Sequence, residues 1–250
     1  MAPLALLTRP RLDSESLAEL LRAQSVDSLI EPVIEILPIA GAQLPPLDGV
    51  QALLITSANG VRALARLSGP PPAARYIPLL AVGAASAEAA RQAGFADVRS
   101  ATGDVAALAA LVQQRLNPAA GPLLHVAGSA VAGDLSGSLK HQGFDVRRTQ
   151  LYEARKSTEL SPGTRQALTD GNIDMVLFFS PRSARAFVKL IGAAALDSVL
   201  ARMTAICLSA QVAEAAAGVT WRRVRTAPEP AQAALLDEVA REINVAEHGR

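Results

Sequence analysis

The chain has 250 residues, enough for two compact domains of about 100–125 residues, each with its own core. Half of the residues are hydrophobic but only 3% are aromatic, so the cores are built from Ala, Leu and Val; a net charge of +1 argues against a dedicated nucleic-acid binder. The single cysteine, Cys207, excludes an internal disulfide framework, no apolar run reaches the roughly 18 residues of a membrane helix, and the start MAPLALLTRP lacks a secretory pattern, so a soluble cytosolic protein is expected.

In chain order, Leu4 to Thr8 is a short apolar run stopped by Arg9-Pro10, which predicts a buried strand. Asp13 or Ser14 is placed to cap a helix carrying Leu17, Leu20 and Leu21. Leu29 to Ile39 alternates apolar and other residues around two prolines, which suits an edge strand or an extended crossover. Gly41 to Gly49 is a first linker. The stretch Val50 to Leu64 then opens as an apolar strand that ends at Ser57, and a helix through Val61, Leu64 and Leu67 is broken by Gly69-Pro70-Pro71-Pro72. Ile77 to Val82 is the next strand. A small-residue helix follows to Ala93, ended by Gly94. Asp104 caps a helix through Leu108, Val112 and Leu116, Leu123 to Ala127 is a strand, Val131 to Gln142 a helix, and Phe144 to Tyr152 a strand. Glu153 to Gly163 is a polar second linker. Beyond it come a helix to Thr169, a strand at Met175 to Phe179, a helix at Arg182 to Ile191, and a strand at Met203 to Cys207. A helix to Ala217, a short strand at Arg222 to Arg225 and a helix from Ala231 to about Val245 complete the chain, with a loose tail from Glu247. This alternation predicts parallel α/β sheets.

The chain also repeats itself. Val50 to Leu64, VQALLITSANGVRAL, matches Ile173 to Phe187, IDMVLFFSPRSARAF, with Ser57 on Ser180 and Arg62 on Arg185. Ala81 to Phe95 matches Ala205 to Val219, and Leu21 to Glu35 matches Leu139 to Glu153. Two copies that vary this much are too few for a solenoid, so a duplicated α/β domain is expected.

Familiar catalytic signatures are absent: no glycine-rich dinucleotide fingerprint, no P-loop, no nucleophile elbow and no H-E-x-x-H. His125, His141 and His248 do not cluster with Cys207 at metal-ligand spacing, so neither a metal nor a nucleotide cofactor is expected. What remains is anion chemistry. Ser57-Ala58-Asn59-Gly60 and Ser180-Pro181-Arg182-Ser183 sit where strand gives way to helix, and helix N-termini offer N–H groups and partial positive charge to carboxylates or phosphates. Gly83 to Ser86 and Cys207 to Ala210 lie at the same carboxyl edge, where ligands of open α/β sheets collect. Each serine alone reads as an ordinary N-cap; the doubling, with Asn59 and Arg182 alongside, sets a ligand-binding edge on two domains flanking a cleft level with that reading. Arg9 follows the first strand to that edge, whereas Arg62 and Arg185 belong on solvated helix faces. Tyr152 closes a strand near the second linker. Most tyrosines so placed are core residues with a satisfied hydroxyl; the alternative is a phenol at a cleft mouth, which ordinarily titrates near pH 10 and so carries a proton to donate at neutral pH.

The residues LLTRP (Leu6 to Pro10), EPVIEILP (Glu31 to Pro38), LLITSANGVRAL, LAVGAAS, LYEARK (Leu151 to Lys156) and LFFSPRSARAF occur in an order and spacing that resembles the uroporphyrinogen-III synthase family over nearly the whole chain. The resemblance implies two similar flavodoxin-like α/β domains joined by a two-stranded linker, one of them discontinuous: residues 1–38 with 155–250, and an inserted domain at 42–150. It implies cyclisation of the linear tetrapyrrole hydroxymethylbilane, with loss of water and inversion of the last pyrrole ring, by a monomer without cofactor, nucleic acid or membrane partner. It implies that Tyr152 assists departure of the hydroxyl, and that Arg9, Ser57, Asn59, Gly83, Ser86, Ser180, Arg182 and Ser209 lie where substrate binds. The family's second half commonly carries Gly followed three residues on by Thr. Here those positions are Cys207 and Ala210, and Ser209 is the remaining hydroxyl. The rival expectation is a non-catalytic two-domain receptor for a polycarboxylate.

Overall fold

The structure is a computed structural model that describes residues 2–67, 72–101, 103–129 and 133–248. The elements run β1 (Leu4–Leu7), α1 (Arg11–Arg22), β2 (Asp27–Ile30), β3 (Ile34–Pro38), β4 (Ala52–Ile55), α2 (Ala58–Arg66), β5 (Leu79–Ala81), α3 (Ala84–Gln92), β6 (Val98–Ser100), α4 (Val105–Arg115), β7 (Leu123–Gly128) and α5 (Leu135–His141). They continue with β8 (Val146–Lys156), α6 (Pro162–Thr169), β9 (Met175–Phe178), α7 (Pro181–Ala193), β10 (Thr204–Cys207), α8 (Ala210–Ala216), β11 (Arg223–Thr226) and α9 (Gln232–His248).

The chain divides into two compact units, Met1–Glu35 with Arg155–Arg250, and Ile36–Ala154. The first holds a five-stranded sheet in the order β11-β10-β9-β1-β2, all parallel. Numbered along the chain this is 2-1-3-4-5, the flavodoxin-like order. The second holds β3-β8-β7-β4-β5-β6. Its five parallel strands read 3-2-1-4-5 along the chain, and β3 is antiparallel to β8, with Ile39 N–H donating to Leu151 O and Ser157 N–H to Val33 O.

The repeat explains why the two orders differ. The Ser57 and Ser180 copies are β4–α2 and β9–α7, the second pair of blocks are β5–α3 and β10–α8, and the third pair run from α1 into β2 and from α5 into β8. Matched in this way, β6-β5-β4-β7-β8 occupies the same spatial positions as β11-β10-β9-β1-β2. The first βαβ of each sequence copy has therefore joined the sheet built by the other copy.

Each sheet is covered on both faces, as parallel sheets must be. In the second unit Leu53, Ile55, Leu124 and Val126 pack under α2 and α3 through Val61, Leu64, Ala87 and Ala90. The alternate residues Ala52, Leu54, Leu80 and Leu123 pack under α4 and α5 through Leu108, Val112, Leu135 and Leu139. In the first unit Ala5, Leu7, Met175, Leu177 and Ile206 meet Leu17, Leu21, Leu235 and Val239 of α1 and α9. The opposite face gathers three of the few aromatic residues: Phe178 lies 5.5 Å from Phe187, and the Trp221 ring stacks on Phe187 at 6.3 Å.

Several local expectations are corrected. Helix α1 begins directly after Pro10, so Ser14 lies inside it and does not cap it but donates its hydroxyl back to Arg9 O. The run Leu29 to Ile39 is two strands, parted at Pro32, and β8 continues through Lys156 into the expected polar linker. The break at Gly69-Pro70-Pro71 and the helix start at Val131 lie outside the described residues. Helix α9 extends through His248 where a loose tail is expected, and Gly249 and Arg250 lie outside the described residues. The short exposed strand β6 is not anticipated by any apolar pattern.

Where β2 ends, Glu31 is buried and accepts from Ser161 N–H at 3.0 Å, Ser161 Oγ at 2.5 Å and Thr164 Oγ1 at 2.6 Å. Ser161 in turn caps α6. This carboxylate fixes the chain where it returns to the first unit, 130 residues later. Replacing Glu31 with Ala is expected to cost about 3 kcal/mol, as removal of hydrogen bonds to a charged acceptor does; an unchanged urea midpoint contradicts that role.

Candidate functional site

The carboxyl edge of each sheet places helix N-termini side by side, because a parallel strand must hand over to a helix there. In the second unit β4 hands over to α2 at Ser57, the helix N-cap, whose hydroxyl oxygen accepts from Asn59 N–H at 3.2 Å. Asn59 Oδ1 accepts from Arg62 Nη1 at 2.8 Å. Arg62 is thus half-buried and holds Asn59, a correction to its expected place on a solvated face, since residues three apart on a helix are neighbours. On the adjacent strand, β5 hands over to α3 at Gly83, which contributes no side-chain cap, and Ser86 is buried in the first turn of α3. Tyr152, on β8, is buried and pairs with Gly128 at the carboxyl end of β7.

In the first unit the order β10-β9-β1 sets Ser209, Ser180 with Arg182, and Arg9 in a row along one edge. Ser180 caps α7, accepting from Ser183 N–H at 3.1 Å, with the two hydroxyls 2.9 Å apart; Pro181 opens the helix and Arg182 follows in its first turn. Ser209 is the N-cap of α8 and makes no side-chain cap bond, while Cys207 is fully buried in β10 and burial pushes its thiol up to about 12. The thiol therefore keeps its proton and serves as a small packing group. Arg9 is held on three sides. Its guanidinium lies 4.3 Å from the centre of the Phe179 ring, Nη1 donates to Gln232 Oε1 at 3.0 Å, and Nη2 is 3.6 Å from Asp13.

The structure thus groups Ser57, Asn59, Gly83, Ser86 and Tyr152 at one edge, and Arg9, Ser180, Arg182 and Ser209 at the other. Sequence reading missed Phe179 and Gln232 beside Arg9, and Gly128 and Ser129 beside Tyr152. Phe179 adjoins Ser180 and Gly128-Ser129 closes an apolar strand, so local signals existed for both; Gln232 lies 223 residues from Arg9 and had none. Among the described residues no group of three or more His, Cys, Asp or Glu is arranged to hold a metal, and no helix is long and apolar enough to cross a membrane.

A family model described as uroporphyrinogen-III synthase HemD matches residues 15–237. The chain belongs to that family. Among solved structures it is similar to the uroporphyrinogen-III synthetase from Helicobacter pylori, with 17% identity over 95% of this chain and 98% of that one and a TM-score of 0.64. It is also similar to a methionine-substituted variant of the synthase from Thermus thermophilus, with 19% identity over 97% and 99% of the chains and a TM-score of 0.57. These likenesses establish the shared α/β fold. No curated protein matches the chain by sequence.

Two buried charged or titratable groups lie beside the edges rather than on them. At the amino edge of the first sheet Glu242 accepts from Arg223, Arg225 and Thr204. Burial alone would raise its carboxyl, but these hydrogen bonds and the Arg223 charge bring it down to about 2. In the second unit His125 of β7 is buried, with Nε2 3.4 Å from Thr56 Oγ1 and with no hydrogen-bond partner for Nδ1 among the described residues. Burial, and secondarily the Arg148 charge, lower its pKa from 6.5 to about 4. Above pH 6.5 the ring is neutral both folded and unfolded; between 6.5 and 4 only the unfolded chain takes up the proton, so stability falls with pH. The loss across that window is on the order of 3 kcal/mol. Denaturation midpoints of wild type and His125→Leu, compared at pH 7 and 4.5, check this: the variant is expected to lose less, and equal losses contradict it.

Proposed function

We propose that the protein cyclises hydroxymethylbilane to uroporphyrinogen III in tetrapyrrole biosynthesis. Its membership of the synthase family carries this reading, since the matched residues 15–237 include every strand except β1 and every edge residue described above except Arg9. The substrate is a flexible chain of four pyrroles bearing eight carboxylates. Its carboxylates are taken up by backbone N–H groups at Ser57–Ala58, Gly83–Ser86, Ser180 with Arg182, and Ser209–Gln211, with the Arg9 and Arg182 side chains adding positive charge. Holding a flexible substrate in the cyclising conformation is the principal contribution to rate.

Tyr152 is the proton donor. As the C–O bond of the hydroxymethyl group breaks, the oxygen keeps the bonding pair and takes the phenol proton to leave as water, while pyrrole nitrogen electrons stabilise the carbon left behind. The last ring inverts through a spiro intermediate. Closure releases a ring proton, which restores the phenol, so water is the only by-product. No cofactor takes part. The two domains, residues 1–38 with 155–250 and residues 42–150, act together as a cytoplasmic monomer.

Purified protein given hydroxymethylbilane is expected to yield the inverted III isomer. Formation of only the uninverted, spontaneous isomer contradicts the proposal and leaves a non-catalytic receptor for a polycarboxylate. Tyr152→Phe is expected to lower kcat on the order of 100-fold, the smaller end of what a positioned proton donor contributes, with product affinity nearly unchanged. An unaltered kcat removes Tyr152 from the chemistry.

A further inference from the structure

We infer that Gly128 and Ser129, at the carboxyl end of β7, form a seat that positions the Tyr152 phenol for proton donation. The inference rests on the reading of Tyr152 as the donor.

Three observations meet at this point. The first is register. Strands β7 and β8 pair Val126 with Thr149 and Ala127 with Gln150, and then Gly128 with Tyr152, so Leu151 is an extra residue in the ladder. A bulge of this kind re-aims the side chains that follow it. Here it leaves Leu151 in the hydrophobic core of the second unit and sets Tyr152 opposite a glycine.

The second observation is the glycine itself. A Cβ built on Gly128 would fall 2.6 Å from Tyr152 Cζ and 3.0 Å from Cδ2, and into Cε2 between them. The ring therefore occupies the space that a side chain at position 128 would fill, and the edge of the ring that lies there includes the carbon bearing the hydroxyl. Gly128 does not adopt a positive φ, so glycine is required at this position by the close approach of the ring and not by backbone conformation.

The third observation is the grip on the backbone. Ser129 N–H donates to Tyr152 O at 3.0 Å, Ala154 N–H donates to Ser129 Oγ at 3.0 Å, and Arg148 Nη2 donates to Gly128 O at 2.7 Å. These bonds hold β8 on both sides of Tyr152 and fix the glycine beneath the ring. An error of about 1 Å in the placement of a reacting group costs up to about 100-fold in rate, so a seat this close to Cζ bears directly on turnover. Gly128 and Ser129 are positioning residues that act through Tyr152.

The test uses the full chain in a Tyr76→Phe background. The sequence has two tyrosines and Tyr76 is largely exposed, so Tyr152 becomes the sole source of tyrosine ring signals in NMR. With hydroxymethylbilane as substrate, Gly128→Ala is expected to move the Tyr152 ring resonances and to lower kcat on the order of 100-fold with little change in KM. Gly128→Ala combined with Tyr152→Phe is expected to be no slower than Tyr152→Phe alone, whereas general damage to the fold slows both backgrounds alike. Ser129→Ala keeps the glycine, removes the bond from Ala154 N–H, and serves if Gly128→Ala does not fold. It is expected to lower kcat roughly 10-fold, an effect again absent in the Tyr152→Phe background. A slow Tyr152→Phe with wild-type kcat in Gly128→Ala, or slowing that multiplies in the double variant, overturns the seat alone. Where Gly128→Ala does not fold, wild-type kcat in Ser129→Ala overturns it equally. A wild-type kcat in Tyr152→Phe overturns both the donor and the seat.

Discussion

The pairing of β1 with β9 is the constraint on which the rest of the structure depends. Ala5 lies opposite Met175 and Leu7 opposite Leu177, so a strand at the start of the chain is completed by one 170 residues later. Its counterpart is the pairing of β4 with β7, which sets Leu53 against Leu124 and Ile55 against Val126. In each sheet these two strands are central, and each comes from a different copy of the repeat. Neither copy has a complete sheet of its own. Both sheets must therefore form together with the long crossings through β3 and β8, and the buried Glu31 secures one end of those crossings.

The same constraint produces the chemistry of the edges. Every strand in the parallel part of each sheet points the same way, so all handovers from strand to helix fall at one edge. Small and hydroxyl-bearing residues there, Ser57, Gly83, Ser180 and Ser209, leave backbone N–H groups close to the surface with little side chain in the way. A ligand with many carboxylates is matched better by such a set of N–H groups than by a few lysines, because each amide is fixed by its helix and needs no ordering on binding. Arg9 adds a charge that is kept in place by side-chain contacts with Phe179, Gln232 and Asp13.

How much of this was legible in the sequence follows from the range of the interactions involved. Buried parallel strands are nearly continuous apolar runs, so LALL, ALLI and MVLF were readable directly, as were the caps Ser57, Asp104 and Ser180 that follow or precede such patterns. The doubling of the serine edges needed only self-comparison. The partner of β1 was not legible, because nothing within the first 40 residues specifies Met175. The exchange of strands between copies entered only through the family resemblance. Strand β6 is three mostly exposed residues without alternation, and the contact of Gln232 with Arg9 spans most of the chain. The bulge at Gly128 is invisible for a different reason: a one-residue shift in register leaves the apolar pattern of β8 unchanged until Tyr152 is paired.

The proposed cyclisation requires ligand at the carboxyl edges and not at the opposite side of the first sheet, where a cavity of about 830 Å³ is lined by Asp27, Asp174, Arg222, Arg223 and Glu242. Backbone amide shifts measured by NMR on adding uroporphyrinogen III under anaerobic conditions distinguish the two directly. The expected result is that the largest shifts fall on the amides of Ser57, Ala58, Gly83–Ser86, Ser180, Arg182 and Ser209–Gln211. Shifts concentrated instead on Asp27, Asp174 and Arg222, with those edges unmoved, contradict binding at the carboxyl edges.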